Sequence, residues 1–94
     1  MKLSKYEKEE AARTLPNYML EGLFAHIEDH RPTGGFLTAL FENDLMLASQ
    51  KADNVNQRHL YDYARWLFNY APTGSYGSRE LVREWLTPKE NHHE

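Results

Sequence analysis

His26 and His30 stand four residues apart, the separation at which two imidazoles on one helix face can share a zinc ion. The chain has no cysteine, so further ligands would have to come from residues such as Asp29 or His59. A solvated or partly packed pair is the simpler reading, and neither a metal nor a cofactor is expected. Asp44 is the second candidate. Helical spacing sets it among Leu37, Leu40, Phe41, Leu47 and Ala48, where a carboxylate must find donors or lose several kcal/mol in desolvation. It would serve either as an acid, base or metal ligand in a cleft, or as an anchor that accepts backbone N–H groups. We expect the anchor, with the glycine-rich turn of Gly74, Gly77 and Ser78 supplying the donors.

Two further patterns touch on phosphate chemistry. Arg58, Asp62, Arg65 and Asn69 share one helical line, but each arginine has Asp62 three or four residues away. That spacing describes a solvated, salt-bridged face. Gly34-Gly35 precedes a helix and could cradle phosphate, yet no Walker lysine follows and no Rossmann strand precedes. The plain account is that Gly34 and Gly35 permit a sharp reversal and a close backbone approach. "RPTGGF" and "APTGSY" repeat a Pro-Thr-Gly turn 40 residues apart. Together with Arg31, Asp44 and Arg79 they define an alternative: a helical protein that binds a small ligand or nucleotide. Serines and threonines fall at caps and turns with no nucleophile elbow, so no enzyme is expected.

The elements that must position these residues read as helices throughout. Ser4 with Glu7 makes a capping box for a first helix, whose apolar positions form a poor stripe; residues 1–15 are expected to be peripheral. Pro16 opens a second helix, ended by Arg31-Pro32. A third runs from about Phe36 to Lys51. Asp53 or Asn54 caps a fourth that ends near Ala71-Pro72, and Ser78 caps a short fifth, "RELVREWL". The expectation is an all-α single domain, a bundle of four to five helices with its core in residues 16–87 and a disordered tail over 88–94.

The fourth helix has an apolar arc far wider than the ~100° stripe of a surface helix. It is either the central helix of the domain or shares a face with another chain. Its line of His59, Tyr63, Trp66 and Tyr70 carries rings with polar tips, the kind favoured at interfaces. These four are the candidate interaction surface.

Fourteen acids against eleven Lys and Arg give a net charge of −3, which disfavours nucleic acid, since phosphate neutralisation needs clustered basic groups. No apolar run reaches the ~20 residues of a membrane span, and the start "MKLSKYEKEE" lacks a signal-peptide core. A soluble, cytoplasmic protein follows, a setting that the lack of cysteine also suits.

"GGFLTALFENDLMLASQKADNVN" and "LFNYAPTGSYGSRELVREWL" resemble a group of small proteins encoded by bacteriophages and prophages. The matching positions are Gly34 to Leu37, Asn43 to Leu45, Ala52-Asp53, Asn69 to Pro72, Gly74, Gly77-Ser78 and Trp85, within residues 18–86. Tyr76 stands where the group carries tryptophan. The resemblance implies a setting, a phage gene expressed inside a bacterium, rather than a mechanism. The expected function is a non-catalytic accessory protein that binds a host bacterial protein and modulates a host process; a homodimer is compatible with it.

Overall fold

Helix ends, more than helix interiors, decide how this chain folds. The computed structural model describes residues 2–87 and holds seven α-helices among them: α1 (Lys5–Thr14), α2 (Leu20–Asp29), α3 (Gly35–Phe41), α4 (Leu45–Lys51), α5 (Asn54–Arg58), α6 (Leu60–Tyr70) and α7 (Arg79–Leu86). A 3₁₀ turn (Asn17–Met19) leads into α2. The all-α class is as expected, but the helix count is higher because two expected helices are each divided.

The first division falls at Glu42-Asn43-Asp44. Asn43 takes a left-handed conformation with φ 65°. The amides of Asn43 and Asp44 return to the carbonyls of Leu40 and Ala39, at 3.1 and 2.9 Å. This is a Schellman end with asparagine in the position glycine usually fills. Asp44 then caps α4, accepting the Leu47 amide at 3.1 Å. The second division is a single residue, His59, between α5 and α6. Three other caps are where the sequence puts them, whereas α2 starts at Leu20 rather than at Pro16, and α3 starts from Gly34 with no side-chain cap from Thr33. Ser4 and Glu7 form the capping box, Asp53 accepts from Asn56 and Ser78 accepts from Leu81. α2 stops at His30, itself left-handed at φ 56°, just before Arg31-Pro32.

The core gathers Leu23, Ile27, Phe36, Leu37, Phe41, Tyr63, Trp66, Leu67 and Val82. Phe36 meets Tyr63 edge-on with centroids 5.2 Å apart. The expected peripheral first segment belongs to this core: Leu3, Ala11 and Leu15 are buried. The Trp66 indole donates to the Glu7 carbonyl at 2.9 Å, and Glu28 accepts the Leu3 amide at 3.0 Å. Buried Ala11, these two hydrogen bonds and the Lys8–Glu28 ion pair at 3.1 Å help hold this segment in place, and none of them registers as an apolar stripe. The radius of gyration, 12.7 Å, is close to the ~12–13 Å of a packed domain this size. The expected tail, 88–94 with His92 and His93, lies outside the described residues.

Candidate functional site

The division of α3 from α4 overturns the expected role of Asp44. In one continuous helix its carboxylate would face the core. With the chain turned at Asn43 it is exposed and satisfied by its own helix. The 72–78 turn does fasten to this region, through a backbone bond: the Gly77 amide donates to the Phe41 carbonyl at 2.8 Å. Ser78 is spent on α7. Gly74 and Gly77 are required, at φ 100° and 130°. Gly34 and Gly35 are not: a Cβ on Gly34 meets nothing within 4 Å, and on Gly35 only the aliphatic part of Lys51.

The candidate interaction surface is corrected as well. Tyr63 and Trp66 are buried, at 0% and 3% exposure. Tyr63 donates to the Asn56 side chain at 2.7 Å, and its burial pushes the phenol well above its ordinary range. Tyr70 is half-buried, edge-on to Tyr6 at 6.0 Å. His59 donates to Asp62 at 3.0 Å. The chain's own α1, α3 and α5 cover Tyr63 and Trp66 as core and part of Tyr70, while His59 stays half-exposed at the helix start.

What remains outside is the other side of α6. Tyr61, Ala64 and Phe68 follow one another at helical spacing and are exposed, Phe68 at 80%. Leu45 and Met46 at the start of α4 are exposed too, at 64% and 80%. Between α4 and α6 lies a groove of about 150 Å³, with Leu40, Leu45, Ala48, Leu60, Ala64, Leu67 and Tyr76 as walls and Asn43 and Asp44 as its polar residues. No protein-family model matches this chain, and no curated protein or solved structure matches it either.

The polar cleft between α1 and α6, about 270 Å³, is lined by Glu10, Arg13, Asp62, Arg65 and Asn69 among others. Its charges are already engaged. Arg13 pairs with Glu10, Asp62 with His59, and Arg65 lies over the Tyr61 ring at 5.9 Å. Arg58 is exposed and lines neither cleft.

The alternative ligand set is not gathered. Arg31, Asp44 and Arg79 are each exposed, and of the three only Asp44 lines the groove. Among the described residues no three His, Asp or Glu side chains converge as metal ligands, and no helix is long and apolar enough to cross a membrane. His26 and His30 are used within the fold. His26 donates from Nε2 to the Ser75 carbonyl at 2.8 Å and stacks on Phe41 at 3.7 Å. His30 donates from Nδ1 to the Trp85 carbonyl at 2.8 Å, and the Trp85 indole returns a bond to the His26 carbonyl at 2.7 Å.

The sequence hides the groove because the apolar spacing of each of its two helices continues into the helix beside it. The signal was present in Asn43-Asp44, a residue type that stops helices directly before one that starts them.

Proposed function

We propose that this chain acts by binding a protein partner through the α4–α6 groove and carries out no chemistry itself. The supporting observation is a concave apolar floor of Leu60, Ala64 and Leu67 with the exposed Leu45 on its wall, on two helices that each leave a further large apolar side chain in water, Met46 on α4 and Phe68 on α6. Large side chains grouped in this way mark interaction surfaces, whereas single exposed ones do not. Asp44 and Asn43 at the groove give the partner its chemistry. An amphipathic helix would set an apolar side chain on the floor and a basic residue against Asp44. The resemblance to phage and prophage proteins supports a host bacterial protein as the partner, met in the cytoplasm.

Capture from bacterial lysate with wild type, Phe68→Ser and Ala64→Arg tests this, with Tyr18→Ser as a control at another exposed position. Proteins held by wild type and Tyr18→Ser but lost from the two groove variants are expected. Capture indifferent to the groove variants, or sedimentation showing a dimer that Phe68→Ser dissociates, would overturn the reading.

A further inference from the structure

We propose that the His26–Ser75 hydrogen bond is an acid-released latch on the 72–78 turn, and that releasing it unseats the Tyr76 wall of the binding groove. The inference rests on the groove being the binding site, but it is tested without any partner, so the two can fail separately.

The geometry assigns the latch. Tyr76 lines the groove and sits in a turn that reaches the helices through two bonds, Gly77 to Phe41 and His26 to Ser75. Both converge on the Phe41 region, because the His26 ring stacks on Phe41. His26 and Ser75 are almost wholly enclosed, at 1% and 0% exposure. A carbonyl can only accept, so His26 carries its proton on Nε2, and Nδ1 is left as a buried acceptor with no hydrogen-bond partner. Protonating Nδ1 leaves the Nε2–H bond to Ser75 in place but puts a full charge and a second, unpartnered donor into this enclosure, and it is the cost of burying them that opens the turn.

The groups that face His26 offer that charge no carboxylate. From α3 it meets the Phe41 ring and from the turn the Ser75 carbonyl; from α7 Trp85 binds its carbonyl. On its own segment His30 and the Arg31 backbone are near. Burial lowers its pKa most, His30 lowers it further, and the Ser75 and Arg31 backbone groups oppose them without prevailing. The folded chain therefore binds this proton less readily than the unfolded or turn-open chain. By linkage the closed turn keeps its full stability above the ordinary histidine value of 6.5, and is weakened as pH falls below it.

The experiment is amide hydrogen exchange at Ser75 and Gly77, corrected for intrinsic rate and referenced to α2 amides, from about pH 7.5 to about pH 5. Wild type should lose protection at the turn several-fold as pH falls through the histidine range. His26→Gln keeps a donor for Ser75 but cannot titrate there, so its turn should hold steady. Unchanged protection in wild type, or an equal loss in the variant, overturns the proposal. If His26→Gln does not fold, NMR titration of the wild-type imidazole decides. A His26 midpoint that coincides with the loss at Gly77 supports the latch, and a midpoint that does not coincide refutes it.

Discussion

The Gly77 amide reaches the Phe41 carbonyl at 2.8 Å, so the second glycine-rich turn is pinned to the last residue of α3 while Asp44, three residues on, faces water. Main-chain groups make the tie expected of a carboxylate. The turn's position then depends on backbone angles more than on charge.

Gly77 is where those angles are most demanding. It sits at φ 130°, and an added Cβ would approach Leu81 Cδ1 to 3.1 Å. Gly77→Ala should destabilise the fold by about 1–3 kcal/mol, read from the urea midpoint. Gly35→Ala, helical and meeting only Lys51, should be neutral or stabilising by up to ~1 kcal/mol.

Asp44 is a helix cap. Asparagine caps as well as aspartate, so Asp44→Asn should melt within a degree or two of wild type. Asp44→Ala should cost about 0.5–2 kcal/mol, since the Leu47 amide loses its acceptor. A large loss on Asp44→Asn in thermal denaturation would restore a buried, charge-dependent role.

Tyr63 and Phe68 should behave in opposite ways, although both are aromatic residues of α6. Tyr63→Phe leaves the buried Asn56 oxygen without its donor, and about 1–3 kcal/mol of stability should go with it. Phe68→Ser removes a side chain that is 80% exposed, and stability should move by no more than ~0.5 kcal/mol. Chemical denaturation of the two variants side by side measures the contrast.

Acid should weaken the fold a second time, below the range of the histidine latch. Burial raises the Glu28 pKa, but the Leu3 amide and Lys8 outweigh it and hold the carboxyl below its ordinary 4.5. The Tyr18 hydroxyl and the Asn56 amide hold Asp53 below 3.8. A carboxyl with a depressed folded pKa contributes stability above its unfolded value and loses it as pH falls through the folded one. Urea midpoints should therefore drop as pH falls below the ordinary carboxyl values of 4.5 and 3.8. Glu28→Gln should lower the midpoint at neutral pH and flatten part of that drop.

Local chemistry determined a good deal of this molecule. The capping box at Ser4 and Glu7, the caps at Asp53 and Ser78 and the stop before Pro32 each depend on residues within one turn of each other, so the sequence displays them directly. The all-α class follows from the same short-range periodicity. Asn43-Asp44 was equally local, but the apolar residues on either side continue one helical pattern across it and hide the break. Tertiary structure alone decided which faces are wet. The apolar arc of α6 is too wide to show which side its own chain covers, and α1, secured by Ala11 and by bonds to Glu7 and Leu3 rather than by an apolar stripe, covers the side of Trp66. Phe68 and the groove are left outside. Burial is a contest among distant segments for one surface, and spacing along a single helix cannot name the winner.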